Sequence, residues 1–233
     1  PLFNPNLVSG NHKSFVQILE KNDIEIYWID EDNYNIADAV FTYDAALMTP
    51  LGAILMSPGK KQRAGEQDIH REFYQNLGIS IRGSIENHGR AEAGDTLWLE
   101  DRTLLIGQGF RTNGEGIRQL KKLIRPMGIK THTFDLPTHL GPEACLHLMS
   151  LISMVDTKTA LICAELLPPN LLKLLKNKEF NIIEAPYDEF EKSNTLSTNV
   201  LALSPGNCIM IDGFPKTRKA LLDCGIKVQV FDG

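Results

Sequence analysis

The sequence predicts an α/β fold built from repeated ββαβ units set in a ring. Three observations predict it. An amphipathic helical stretch, a turn and an Ile-containing strand recur five times; a hairpin separates consecutive repeats; and polar residues fall at matching places within them.

The helices are expected at residues 12–20, 66–76, 115–125, 170–175 and 216–222, each with apolar side chains at helical spacing. The strands that follow begin near Ile24, Ile79, Ile129, Ile182 and Ile226. The spacing between repeats is roughly 45 to 55 residues, as in arrays and propellers. Four hairpins are expected, each from two β-prone runs: 39–43 with 52–56, 96–99 with 103–106, 151–155 with 159–163, and 200–203 with 208–211.

Four hairpins serve five helix and strand pairs, so a closed ring lacks one hairpin. The sequence opens at Pro1 almost directly before a helix and stops at Gly233 directly after a strand. An open ring would leave two sheet edges unpaired, which soluble proteins avoid. The expectation is therefore one domain over residues 1–233, short of a strand at each end.

An apolar share of 42% and a charged share of 23% are those of a packed globule, which excludes a disordered or fibrous chain. A net charge of −5 argues against nucleic acid or anionic membrane as a general partner. There is no long apolar run and no signal-peptide pattern, so the sequence reads as cytoplasmic. Cys145, Cys163, Cys208 and Cys224 lie far apart in apolar contexts without a metal-ligand spacing, and read as buried thiols. No metal is expected. Gly107-Gln108-Gly109 followed by Gly114 has the wrong spacing for a dinucleotide loop, so no cofactor is expected either.

The most informative segment is 91–113, where a hairpin opens with Glu92 and Asp95 and closes toward Arg111. Carboxylates hold a planar guanidinium by paired, charge-assisted hydrogen bonds, and an arginine fork does the same for a carboxylate. Arginine and its derivatives carry both groups. The repeat makes other places comparable: Asp38 precedes hairpin one, with Asp44 closing Phe41-Thr42-Tyr43, and His147 precedes hairpin three. Arg63 and Arg111 both stand just before helix N-termini, whose free N–H groups favour anions. His12, His70, His88, His132 and His139 read as surface, loop or packing residues.

The segments Asp38-Ala-Val-Phe-Thr-Tyr-Asp44, Arg63-Ala-Gly-Glu66, Glu92-Ala-Gly-Asp95, Arg111-Thr-Asn113, Leu146-His147-Leu148 and Ser204-Pro-Gly-Asn-Cys208, in this order, resemble the guanidine-modifying pentein superfamily. The nearest members are dimethylarginine dimethylaminohydrolases and related amidinotransferase-like proteins. The resemblance implies a five-bladed α/β propeller with pseudo-fivefold symmetry, its fifth hairpin missing here, and a hydrolase that converts a guanidine to a ureido product such as citrulline through a cysteine thiouronium intermediate. It implies catalytic roles for Glu92 and His147, Asp44 as guanidinium ligand with Asp38 supporting the pocket, and Arg63 and Arg111 as ligands of the substrate carboxylate; Asp95, at the mouth of the same hairpin as Glu92, is expected to bind substrate with them.

The resemblance also calls for a nucleophilic cysteine beyond the last strand, a place that none of the four cysteines occupies. Tyr43 stands where mammalian-type relatives carry a carboxylate, and Met149 where arginine deiminases carry an aspartate. The first bears on discrimination among substituted guanidines; the second disfavours an unsubstituted-arginine deiminase and favours a guanidine with bulk or alkyl groups on one nitrogen. Amidino transfer and arginine deimination use the same intermediate and remain alternatives, as does a binding module of the same fold without chemistry. The expected partner is a small guanidino molecule, and a homodimer is left open.

Overall fold

The computed structural model describes residues 4–29, 36–141 and 146–233. In chain order the elements are helix α1 (Pro5–Lys21), strands β1 (Ala46–Thr49) and β2 (Gly52–Leu55), α2 (Glu66–Asn76), β3 (Ile81–Ser84), β4 (Thr96–Glu100), β5 (Thr103–Gln108), α3 (Gly114–Ile124) and β6 (Lys130–Asp135). There follow β7 (Ile152–Asp156), β8 (Thr159–Ile162), α4 (Pro169–Asn177), β9 (Asn181–Glu184), α5 (Tyr187–Lys192), β10 (Leu201–Ser204), β11 (Asn207–Ile211), α6 (Pro215–Asp223) and β12 (Lys227–Phe231). The class is α/β, as expected. Four three-stranded sheets repeat one pattern: an antiparallel hairpin whose second strand pairs in parallel with the strand after the helix. None of the described helices is long and apolar enough to cross a membrane.

The chain divides into two compact units, residues 29–149 and residues 1–28 with 150–233. In the first, β1-β2-β3 and β4-β5-β6 form two sheets whose inward side chains share one core, including Leu47, Ile54, Met56, Leu104 and Ile106. Helix α3 offers Ile117, Leu120 and Ile124 to this core, one stripe at helical spacing. Asn113 caps α3 by accepting the Gly116 N–H at 2.8 Å, and the same oxygen accepts the Arg90 N–H at 3.0 Å. One side chain thus fixes both a helix start and the segment that leads into Glu92.

In the second unit, β7-β8-β9 and β10-β11-β12 share a core of Val155, Leu161, Ile183, Val200, Met210 and Leu221. Buried Glu189 of α5 accepts the backbone N–H groups of Lys216 and Thr217 at 2.9 and 2.8 Å, satisfying donors at the start of α6. Helix α1 packs on β12 through Phe15 and Phe231, whose ring centroids are 5.0 Å apart.

Three expectations need correction. The first strand of hairpin one is Ala46–Thr49, not residues 39–43, which form the 3-10 turns Ala37–Val40 and Thr42–Ala45. Thr49 pairs with Gly52 across a two-residue connection, Pro50-Leu51, so only the residues directly before it can enter the ladder. Val40, Phe41 and Tyr43 are exposed, whereas Ala46 and Leu47 are buried. The run at Ile24 forms no strand, because no described strand lies beside it to supply hydrogen bonds. Helix α5 was not anticipated: six residues carry too little periodicity to be read.

A Cβ on Gly116 would lie 2.0 Å from the Arg90 carbonyl oxygen, whereas one on Gly114 would meet open space. Gly116→Ala is expected to lower Tm by several degrees, equivalent to about 1–3 kcal/mol of overpacking. Gly114→Ala should leave it unchanged or raise it. Parallel thermal melts of the two variants check this.

Candidate active site

Every site residue expected from the sequence lies among the described residues of the 29–149 unit. Three short 3-10 turns organise them: Thr42–Ala45, Ala93–Asp95 and Leu148–Ser150, of which the first two run directly into β1 and β4. Glu92 and His147 each occupy the residue before such a turn, so their equivalence in the repeat is structural. The revised start of β1 places Asp44 in the same kind of turn as Asp95.

Glu92 is the centre of the cluster and is fully buried. Its Oε2 lies 2.7 Å from His147 Nε2, and its Oε1 accepts the Gly59 N–H at 2.8 Å. Arg111 Nη1 reaches both oxygens at 3.3 Å, and Arg63 Nη1 stands 3.7 Å from Oε2. Burial pushes the Glu92 carboxyl upward, but the hydrogen bond and charge of His147, the Gly59 N–H and Arg111 outweigh it and hold the pKa at about 2. Glu92 is therefore ionised and can only accept. It follows that His147 Nε2 carries a proton.

Arg63 is bound by acids on two sides. Its Nε and Nη2 form a fork on Glu66 at 2.7 Å each, and its Nη1 donates to Asp44 Oδ2 at 2.8 Å. Burial opposes its charge, but Glu66 and Asp44 overcome this and raise its pKa. The other oxygen of Asp44 accepts the Gly94 N–H at 3.1 Å. Asp95 repeats that arrangement one unit on: its Oδ1 accepts the Leu148 N–H at 3.1 Å. Its Oδ2 is buried without a hydrogen-bond partner among the described residues. Burial lifts the Asp95 pKa to about 6, against the opposing charge of His147.

The structure thus gathers Asp44, Arg63, Glu92, Arg111 and His147 into one cluster, with Asp95 tied to the backbone beside His147. Among the described contacts the Asp38 side chain does not join that cluster; it is partly exposed and pairs with Lys60 Nζ at 3.4 Å. Sequence reasoning gave no role to Glu66, Gly59 or Gly94. The Arg63/Glu66 spacing of three residues was a readable signal for a local ion pair. The contact of Gly59 with Glu92 spans 33 residues and had none.

His70 is a packing residue: burial, with the charge of Arg63, lowers its pKa to about 4. Cys163 and Cys208 are buried, and burial pushes both thiols up to about 11, so neither is a thiolate at neutral pH. Cys224 is exposed at the end of α6, and Cys145 lies outside the described residues. Ligand atoms of Asp44, Glu92 and His147 fall within 4.8 Å of one another, a spacing that a metal ion could use. The two guanidinium groups on the same carboxylates oppose a dication there.

Residues 4–228 match the sequence profile described as N,N dimethylarginine dimethylhydrolase, eukaryotic. The chain belongs to this family. Among curated proteins it is 29% identical over 221 residues to N(G),N(G)-dimethylarginine dimethylaminohydrolase of Pseudomonas aeruginosa, covering 95% of this chain and 80% of that protein. A cysteine-to-serine mutant of the Pseudomonas aeruginosa enzyme, solved in complex with citrulline, superposes with a TM-score of 0.79 at 28% identity, covering 96% of this chain and 80% of that one. The amidinotransferase SxtG from Microseira wollei shares the fold, with a TM-score of 0.75 at 18% identity over 99% of this chain and 79% of its own.

The two buried acids act oppositely on stability. The folded pKa of Glu92, about 2, is below its ordinary 4.5, so its ionised form stabilises the fold above pH 4.5 and that contribution fades toward pH 2. The folded pKa of Asp95, about 6, is above its ordinary 3.8, so its charge costs stability above pH 6 and the cost disappears toward pH 4. Asp95→Asn should therefore melt higher than the parent at pH 8, with the difference gone by pH 4. Melting curves at both pH values check this, and an equal difference at both would refute the assignment.

Proposed function

We propose that the protein hydrolyses a substituted arginine, dimethylarginine being the first choice, to citrulline and an amine. One observation carries the reading: the buried acids Asp44 and Glu92 already bind a guanidinium, that of Arg63, with His147 against the same carboxylate. A site that seats an arginine head group of the chain itself has the charge and hydrogen-bond acceptors to seat that of a ligand. Family membership and the citrulline complex of the Pseudomonas aeruginosa relative support the same chemistry.

In this reading Asp44 and Glu92 take the substrate's N–H groups and turn the guanidinium carbon toward a cysteine thiolate. The thiolate adds to that carbon, and the C–N bond breaks as His147, whose Nε2–H stays on Glu92, hands the proton of its other ring nitrogen, Nδ1, to the departing amine. Water then attacks the thiouronium carbon, His147 accepts a proton from it, and the C–S bond breaks to return the thiolate. One water is consumed, and citrulline and dimethylamine leave. The mutation in the citrulline-bound relative is at a cysteine, which supports a thiol nucleophile in this family. The high thiol pKa values of Cys163 and Cys208 argue that neither serves in that role.

Binding is an exchange of ions. Arg63 and Arg111 occupy the acids in the resting site, so an incoming guanidinium displaces them and frees both for the substrate's carboxylate. Charge inside the buried site is then balanced before and after binding.

Glu92→Gln in the full-length protein is expected to lower kcat/KM for dimethylarginine by 10²-fold or more, on the order of what one transition-state contact supplies. Arg111→Met should raise KM more than it lowers kcat, because it removes a contact made before and during the reaction alike. Citrulline release measured for the parent and both variants decides; near-normal turnover by Glu92→Gln would sink the proposal.

A further inference from the structure

We propose that Asp95 is a positioning residue that fixes the catalytic orientation of His147 through the backbone, and not a substrate ligand. The inference rests on the catalytic reading of His147 given above.

Asp44 and Asp95 are repeat equivalents that make the same contact. Each sits in a 3-10 turn before a hairpin, and each accepts at Oδ1 a hydrogen bond from a backbone N–H in the turn of the next repeat: Asp44 from Gly94, Asp95 from Leu148. Their second oxygens differ. Oδ2 of Asp44 meets the Arg63 guanidinium at 2.8 Å. Oδ2 of Asp95 is buried and meets no described partner, and the residue as a whole is 1% exposed. One carboxylate therefore has an edge turned to a cation, whereas the other is set against the adjoining turn and the Thr112 hydroxyl.

Leu148, the residue that Asp95 holds, follows His147 directly. The imidazole is gripped from the far side by Glu92 at 2.7 Å, and its own ring rests on Gly94, where a Cβ would lie 2.9 Å from His147 Cγ and Nδ1. Glu92, Gly94 and Asp95 thus hold the ring edge, the ring face and the backbone of one residue. Without the Asp95 contact, the Leu148 N–H loses a buried partner, and the turn that aims His147 loses the bond that sets its height against Glu92. A displacement of about 1 Å at a catalytic group costs on the order of 100-fold in rate.

Asp95→Asn keeps an oxygen that can accept from Leu148, whereas Asp95→Ala removes it, so the pair separates the contact from the charge. The probe is the proton resonance of the His147 Nε2–H bonded to Glu92, followed in the parent and both variants, together with steady-state turnover of dimethylarginine. The expected result is a signal that is lost or broadened in Asp95→Ala and kept in Asp95→Asn. Turnover should follow it: kcat about 100-fold lower in Asp95→Ala with KM within about twofold, and largely restored in Asp95→Asn. An unchanged Nε2–H signal in Asp95→Ala overturns the proposal. So does a rise in KM with kcat intact, which would make Asp95 a substrate ligand. If no variant or parent turns over dimethylarginine while the signal still follows the substitution, the positioning stands and the hydrolase reading fails.

Discussion

The buried charge of Glu92 is the constraint around which the rest of the site is arranged. Moving a carboxylate out of water costs several kcal/mol unless its oxygens are bonded and its charge is matched. Glu92 answers that cost with a histidine, a backbone N–H and two arginines, drawn from positions up to 55 residues away from it in sequence. Each of those groups has its own support. Gly59 comes close because a Cβ there would press to 3.3 Å on the Arg111 backbone, and Arg63 is held by a fork on Glu66. Ionising Glu92 in turn fixes the proton on His147 Nε2, so one buried charge settles which ring nitrogen of the histidine is protonated toward it.

The repeat supplies the geometry that makes such a cluster inexpensive to build. Each ββαβ unit brings a short 3-10 turn ahead of its hairpin, and in the 29–149 unit these turns are joined by aspartate oxygens reaching the N–H groups of the next turn. In the other unit the corresponding link runs differently: the Thr198 hydroxyl donates to the Ser150 carbonyl at 2.5 Å. Where the link is Asp44, its second oxygen pairs with the Arg63 guanidinium. Where it is a hydroxyl, the turn is joined without charge.

Much of this was legible in the sequence because repeat positions can be compared. Helices with a clear apolar stripe, such as α2 and α3, lie within a residue of where their periodicity puts them. The equivalence of Glu92 and His147 followed from their places before hairpins. What failed was local register: in hairpin one the apolar run Val40 to Tyr43 is β-prone by composition, yet the tight Pro50-Leu51 connection dictates which residues can pair. The sequence placed Asp95 with the substrate-binding acids and gave Glu66 no role. A carboxylate that bonds a backbone N–H and one that binds a substrate have the same letter, and only burial and the direction of the second oxygen tell them apart.

That distinction bears on how the site stays folded when empty. An acidic pocket built for a guanidinium would suffer uncompensated repulsion between Asp44 and Glu92 in the absence of ligand. Here Arg63 bridges the two acids, so the chain carries its own substitute for the ligand's head group. The arrangement lowers the energy of the resting state and so takes something from affinity, since the ligand must displace an ion pair already formed. It also favours a ligand with a carboxylate at the right distance, because only such a molecule can re-pair the arginines it sets free. A guanidinium without that second group would leave Arg111 buried without the counter-charge it takes from Glu92, whereas Arg63 would keep its fork on Glu66. Under the proposed function, a preference for amino-acid guanidines would follow from the charge balance of the empty site, before any contact to the substrate's side chain is considered.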